Sequence, residues 1–144
     1  MDEFRQGARR AIDAGVDGVE IHGANGYLLH EFMAPSANKR EDEFGGSPEN
    51  RWGLPEMVIR AVVEEIGADR VGVRSSPAHN VQGVIEDDQE DMLATYGGLL
   101  DALAPLNLAY VSLLHGEPDS ELIATLAKKA RANGVTKVLM NDGF

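Results

Sequence analysis

Residues 14–32 of this chain read AGVDGVEIHGANGYLLHEF, and this stretch decides how the fold is interpreted. Residues 19–21 form a short, β-branched run between two glycines, which is typical of a buried strand in a parallel sheet. His22, Asn25 and Tyr27 follow just past the carboxyl end of that strand. Ligands of α/β sheets and barrels bind at the carboxyl ends of the strands. The pattern therefore predicts that these three polar residues line an active site.

The composition limits the class of protein. The 144 residues are 43% hydrophobic, which suffices for one domain over residues 1–144 with its own core. The formal net charge is -11, so we expect no nucleic-acid partner, because phosphate binding needs clustered Lys and Arg. The absence of cysteine excludes disulfides and iron–sulfur clusters and fits a cytoplasmic location. No apolar run reaches the roughly 20 residues of a membrane span, so no membrane partner is expected.

Helix and strand signals alternate four times along the chain. Four helices are predicted: from Phe4 to a cap at Gly15, from Ser47 to Gly67, from the acidic residues 86–88 to Leu103, and from Asp119 or Ser120 to Gly134. Strands are predicted at residues 19–21, 70–74, 108–114 and 135–140. Pro55 is expected to kink or restart the second helix. Residues 34–46 form a long polar loop, a length typical of functional segments.

This alternation predicts parallel strands joined by helical crossovers. Eight such units, about 250 residues, close a TIM (β/α)8 barrel, and this chain supplies four. The predicted fold class is therefore α/β, a partial barrel of about four parallel strands alternating with helices. An open four-stranded parallel sheet in a complete small domain is the competing architecture, and periodicity alone does not separate the two.

Two further groups of polar residues are interpreted as surface. The acidic runs at residues 41–43 and 86–88 are of the kind found in solvated loops and helix starts. His30, His79 and His115 lack the mutual spacing of a ligand set on one element. We therefore predict no metal site and place these three histidines at the surface or the rim.

Longer motifs make the chain similar to a known family. Residues 14–29 closely resemble the old yellow enzyme family of FMN-dependent ene-reductases, and further matches follow in a fixed order: FMAP at 32–35, NKR at 38–40, DEFGGS at 42–47, ENR at 49–51, VGVR at 71–74 and SP at 76–77. The family forms a complete eight-stranded barrel, so the resemblance implies a fragment covering roughly strands four to seven. Glu41, Phe44 and Pro55 depart from the family pattern and affect details of the loop and helix.

The resemblance also implies roles for individual residues. In that family a nicotinamide reduces FMN, and the flavin passes hydride to the β-carbon of an activated alkene. His22 and Asn25 would then donate hydrogen bonds to the substrate oxygen, and Tyr27 would protonate the α-carbon. Arg74 would lie beside the flavin ring and Gly143 near the FMN phosphate. The resemblance thus predicts an FMN-dependent, NAD(P)H-using ene-reductase acting on alkenes such as α,β-unsaturated carbonyl compounds.

Without the resemblance, the same residues allow simpler interpretations. His22 could bond a nearby carbonyl, Asn25 could be a turn residue, Tyr27 could pack at the rim and Arg74 could pair with a carboxylate. For the whole chain, the alternatives are a truncated barrel fragment without flavin and a component that completes its site with another half-barrel or another copy of itself. A related flavoenzyme such as a dienoyl-CoA reductase is a third alternative.

Overall fold

The computed structural model describes residues 1–132, 134 and 136–141. Its helices are α1 (Asp2–Asp13), α2 (Leu28–Met33), α3 (Pro48–Ile66), α4 (Gln89–Leu103) and α5 (Glu121–Ala130). Its strands are β1 (Val19–Gly23), β2 (Val71–Ser75), β3 (Tyr110–Leu114) and β4 (Lys137–Asn141). All four strands are parallel and lie side by side in sequence order. The predicted alternation of helices and parallel strands is therefore present.

Local capping signals explain where the helices begin and end. Gly15, with φ of 96°, follows α1 and donates its N–H to Ile12 O, while Val16 N–H bonds Ala11 O. This pair of hydrogen bonds is a Schellman motif, which favours glycine at that position. Each of the three longer helices after α2 begins with a side chain that accepts a backbone N–H, namely Ser47, Asp88 and Ser120. The structure thus selects Ser120 rather than Asp119 as the cap of α5.

The two faces of the sheet differ in chemistry because side chains alternate along each strand. One face is apolar and packs under the helices, through residues that include Val71, Val73, Val111 and Leu113. The register places two rows of residues across the other face: Glu20, Gly72, Tyr110 and Lys137 in one, and His22, Arg74, Ser112 and Leu139 in the next. The second row lies nearer the carboxyl ends of the strands, where the predicted site begins.

Tyr110 lies across Gly72 on this polar face. A Cβ added to Gly72 would come within 2.2 Å of the Tyr110 ring, so no larger residue fits there. The phenol reaches over β2 to Glu20 on β1, with which it forms a hydrogen bond. Partial burial, and then the hydrogen bond and charge of Glu20, raise the pKa of the Tyr110 phenol. One aromatic ring therefore fills the space above three neighbouring strands.

The structure corrects one helix prediction and part of another. The sequence predicts no helix at residues 28–33, where α2 forms directly after the motif. It also predicts a kink or restart at Pro55. The helix does not restart, since α3 runs from Pro48 to Ile66 with Pro55 buried inside it, and the kink stays a prediction. A proline removes only one backbone donor, and α3 packs against α1, α2 and α4 along its length, so this packing outweighs the loss.

The surface positions predicted for His30 and Glu86 are also wrong. His30 has no exposed area and Glu86 is only 5% exposed. The two side chains lie 3.2 Å apart, His30 Nε2 to Glu86 Oε2, although they are 56 residues apart in sequence. Burial of a polar side chain is tolerated when another polar group faces it, and this pairing is invisible to composition and charge patterning.

Within the described part of the chain, no helix qualifies as a transmembrane span.

Candidate active site

A tight turn connects β1 to α2 and carries the predicted site residues. Tyr27 N–H donates to Ala24 O at 3.2 Å, and the two central residues, Asn25 and Gly26, have φ of 58° and 74°. Positive φ at both central positions is the signature of a type I′ turn, for which Asn-Gly is the favoured dipeptide. Asn25 therefore occupies a turn position, as its simpler interpretation predicts. The turn also brings Tyr27 back toward the end of β1.

His22 and Tyr27 lie next to each other on the outside of this turn. Their ring centroids are 5.4 Å apart with an interplanar angle of 48°. Both side chains are exposed, Tyr27 to 54%, so the two rings face open space beyond the carboxyl end of β1. Asn25 is half-buried, and its Oδ1 is buried without a hydrogen-bond partner among the described residues. The structure thus brings the two rings together and leaves a side-chain amide atom unsatisfied beside them.

Arg74 is the neighbour of His22 on the adjacent strand. Its Nε lies 2.8 Å from Glu20 Oε1, and the side chain is 33% exposed. The N–H of Nε makes no well-directed hydrogen bond, so the contact with Glu20 is an ion pair. Pairing with a carboxylate, the simpler interpretation of Arg74, is therefore observed. The same position still places a permanent cation beside His22 on the polar face.

A second set of polar residues, not predicted as part of the site, lies beneath the turn. His30 Nδ1 accepts the Gly26 N–H at 2.9 Å, and Ser76 Oγ accepts the Asn25 N–H at 2.8 Å. Sequence reasoning missed His30 because the helix that carries it, α2, is too short to leave a periodic pattern. The contribution of Ser76 leaves no sequence signal either, since it comes from the end of β2.

The loop after β2 covers the same turn from the other side. A Cβ on Gly26 would lie 2.6 Å from Val81 O and 2.5 Å from Gln82 Cβ. Glu86 closes this loop, because its carboxylate accepts the Ala78 N–H at 3.0 Å and its own N–H donates to Asn80 Oδ1 at 2.8 Å. The residues around Asn25 are therefore packed between α2, the end of β2 and this loop.

Among residues 1–132, 134 and 136–141, no three His, Asp or Glu side chains converge in the manner of a metal site. Gly143, predicted to approach the FMN phosphate, lies outside the described residues. His22, Asn25, Tyr27 and Arg74 are all described, and they lie at the carboxyl ends of two adjacent strands.

Comparison with known proteins identifies the family. Residues 1–122 match the NADH:flavin oxidoreductase / NADH oxidase family. The chain belongs to this family. An old yellow enzyme homologue from Zymomonas mobilis matches 99% of the chain with a TM-score of 0.84 and 32% sequence identity. Morphinone reductase in complex with tetrahydroNAD also matches 99% of it, with a TM-score of 0.85 and 33% identity. The 12-oxophytodienoate reductase 1 of Oryza sativa subsp. japonica is 57% identical over 88 residues, 61% of the chain.

These matches confirm the old yellow enzyme resemblance and the α/β partial barrel. The chain spans 41% of the Zymomonas mobilis protein, 38% of morphinone reductase and 23% of the rice reductase, so it covers less than half of each. The open-sheet alternative is therefore set aside in favour of an arc of a barrel. The assignment to strands four to seven of that barrel stays a prediction.

The NADH:flavin oxidoreductase family implies FMN and a nicotinamide cofactor. The described residues fit one side of an FMN site. Arg74 provides a permanent, partly exposed cation on the polar face, and its register neighbour His22 is exposed at the same level of the sheet. Arg74 would hold the ring edge of the cofactor, because a guanidinium stabilises negative charge that collects there.

Proposed function

We propose that this chain carries the substrate-binding and proton-transfer residues of an FMN-dependent, NAD(P)H-using ene-reductase. The substrates would be activated alkenes such as α,β-unsaturated carbonyl compounds. The observation that carries this proposal is the adjacency of the His22 and Tyr27 rings, 5.4 Å apart, beside Arg74 on the neighbouring strand. Family membership alone supports an oxidoreductase, and this arrangement of residues supports the finer assignment.

His22 and Asn25 would bind the carbonyl oxygen of the alkene. A ring N–H and a side-chain amide are both hydrogen-bond donors, and negative charge grows on that oxygen as the β-carbon receives hydride. The type I′ turn supports this role because it fixes the backbone between the two residues. Donors that are held in place before the reaction stabilise the developing charge without a cost of reorganisation.

Tyr27 would deliver the proton to the α-carbon. A phenol is a proton donor at neutral pH, and the Tyr27 ring is exposed on the side that His22 faces. Because the ring contacts that of His22, a substrate whose oxygen is bound by His22 would have its α-carbon close to the phenol. Tyr27 is also the N-cap of α2, directly before Leu28, so that the helix fixes its backbone.

The bound FMN would supply the hydride-transfer chemistry, with a nicotinamide as the source of electrons. Arg74 would orient the cofactor from β2 through its guanidinium. The ion pair with Glu20 holds the Arg74 side chain against the sheet, so that its cation stays at the level of His22. Pre-oriented charge of this kind favours an anionic ligand more than a flexible surface arginine does.

The test is the visible spectrum of the purified chain with added FMN. A shifted flavin band, bleached by NADPH and restored by cyclohexenone, is the expected result. Tyr27→Phe should leave bleaching by NADPH unchanged and slow the recovery with cyclohexenone by about 100-fold, because only the second step needs the proton. The NADPH step is thus an internal control within the same variant. A folded chain that does not shift the flavin band would contradict activity of the chain by itself and leave its family membership intact.

A second candidate function, as a component that completes a barrel with another half, rests on a different observation. An open groove of about 510 Å³ runs beside β1, an edge of the described sheet. Apolar residues form most of its lining, and they include Phe4, Ala8, Ile21, Leu28 and Val62. Uncovered strand edges and apolar grooves favour association.

We infer that a second copy of the chain would cover this groove. Light scattering after size-exclusion chromatography should then give the mass of a dimer. Leu28→Glu, at a groove residue that is 51% exposed, should restore the monomer without unfolding the chain. A wild-type monomer at high concentration would contradict this candidate.

A further inference from the structure

His30 is a fully buried histidine whose two ring nitrogens face different parts of the site. Nδ1 accepts the N–H of Gly26 at 2.9 Å, and Ser76 Oγ lies 3.4 Å from the same nitrogen. A nitrogen that accepts an N–H carries no proton, so the ring proton lies on Nε2. The ring is thereby fixed as one tautomer with Nδ1 toward the turn.

Glu86 faces the other ring nitrogen. His30 Nε2 lies 3.2 Å from Glu86 Oε2, and the N–H is not well directed at that oxygen, so the contact is electrostatic. The same carboxylate accepts the Tyr96 hydroxyl at 2.9 Å and 3.0 Å and the Ala78 N–H at 3.0 Å. Glu86 is thus held by α4 and by the loop after β2. A carboxylate beside an imidazole N–H is the arrangement that orients histidine side chains in many sites.

The contact at Nδ1 matters because of where the Gly26 N–H lies. Asn25 and Gly26 both have left-handed φ, and the backbone N–H groups of this turn point into the protein, where each needs an acceptor. His30 and Ser76 accept the N–H groups of Gly26 and Asn25, one each. The direction of the Asn25 side chain and the approach of Tyr27 to His22 both depend on this turn. His30 therefore acts on the site without touching the space where a substrate would lie.

We propose that His30 is a positioning residue of the site, which holds the turn at Asn25 and Gly26 so that Asn25 and Tyr27 face the substrate. Glu86 orients the imidazole from the opposite side. This inference rests on the proposed function for its consequence in catalysis, but its structural part stands on the hydrogen bonds alone.

Two substitutions of His30 separate the two ring nitrogens. In His30→Asn the side-chain oxygen takes the place of Nδ1 and keeps the acceptor for Gly26. In His30→Gln the amide reaches toward Glu86 instead, and the Gly26 N–H loses its acceptor. His115→Asn is the matched control, because the His115 side chain contacts only the backbone of Glu117 among the hydrogen bonds of the described residues.

The measurement is amide hydrogen exchange at Gly26 by NMR on the full chain, together with the nuclear Overhauser contact between the His22 and Tyr27 rings. His30→Gln should speed exchange at Gly26 by about tenfold and weaken the ring contact, whereas His30→Asn and His115→Asn keep both near the wild-type values. Equal behaviour of His30→Asn and His30→Gln would overturn the proposal. Thermal unfolding of both variants measures any general loss of stability. Such a loss would speed hydrogen exchange at Gly26 in both variants and would not by itself separate His30→Asn from His30→Gln.

The wild-type chain gives a result that needs no variant. Nitrogen-15 spectra of His30 should show the proton on Nε2 and none on Nδ1, and the opposite tautomer would overturn the proposal even if a variant fails to fold. In the FMN-loaded chain, kcat for cyclohexenone should follow the same order, with His30→Asn above His30→Gln. If the wild-type chain reduces no alkene, the proposed function fails, while the NMR data still decide the role of His30 at the turn.

Discussion

Arg51 Nη2 donates to both carboxylate oxygens of Asp91, each at 2.6 Å, and thereby joins α3 to α4. The guanidinium also bonds Met33 O at 2.8 Å and Thr95 Oγ1 at 3.0 Å, and the residue is 3% exposed. One buried cation thus connects α2, α3 and α4 above the sheet. Replacing both partners of a buried ion pair by apolar residues often changes the free energy of unfolding little. Removing only one partner leaves the other charge buried and uncompensated, which is strongly destabilising.

Arg51→Leu should therefore lower the free energy of unfolding by about 3–5 kcal/mol, measured by urea denaturation. The control is Arg5→Leu, which removes the exposed ion pair of Arg5 with Glu64 and should cost less than about 1 kcal/mol. Equal losses for the two variants would contradict the central role given to Arg51.

Gly26→Ala should destabilise the chain and distort the turn. The φ of 74° is unfavourable for alanine, and the added Cβ would lie 2.6 Å from Val81 O. We expect a loss of about 2–3 kcal/mol and a weaker contact between the His22 and Tyr27 rings. Gly7→Ala is the matched substitution, because Gly7 lies in α1 with nothing within 4 Å of the added Cβ. That variant should gain about 0.5–1 kcal/mol, and chemical denaturation of both variants tests the pair.

Tyr96 should make the stability depend on pH in the alkaline range. Complete burial, and then the charge and hydrogen bond of Glu86, raise the pKa of the Tyr96 phenol well above its usual value of 10. Above about pH 10 the unfolded chain releases this proton while the folded chain keeps it, so the free energy of unfolding falls as pH rises. Below about pH 10 the phenol is protonated in both states, and its stabilising contribution to the free energy of unfolding is fully present.

Tyr96→Phe is expected to cost about 1–3 kcal/mol at pH 7, because Glu86 loses a donor. Urea denaturation from pH 7 to 11 should show the difference from wild type shrinking above pH 10. Tyr110→Phe should show a weaker trend, since the Tyr110 phenol is only partly buried. A constant difference over this range would contradict the effect of burial on Tyr96.

Arg74→Ala should weaken FMN binding by about tenfold, because a charge-assisted hydrogen bond is lost. Fluorescence titration of FMN measures the dissociation constant. Arg70→Ala removes an exposed arginine just before β2, at the opposite end of the same strand, and should leave the constant unchanged. Equal weakening by both variants would show a general effect of charge rather than a contact with the cofactor.

The alternation of helices and strands was predictable because glycines, capping side chains and Pro48 mark the boundaries locally. The position of the site was predictable for a similar reason, since a polar run directly follows β1. The helix α2 was not predictable from periodicity, because six residues give less than two turns of pattern. The pairing of His30 with Glu86 depends on two elements meeting in space, and charge patterning along the chain carries no trace of such a contact. The helix does not restart at Pro55, because tertiary packing outweighs local preference.

The ring of Tyr110 over Gly72 sets the depth of the polar face. Its row of residues lies one pleat repeat, about 6.6 Å, below the row that contains His22 and Arg74. A cofactor held by Arg74, as proposed, would therefore rest on the ring of Tyr110 and extend along the strand ends rather than down into the sheet. A Cβ at position 72 would lie 2.2 Å from the Tyr110 ring, so the ring could not keep this place over any residue larger than glycine.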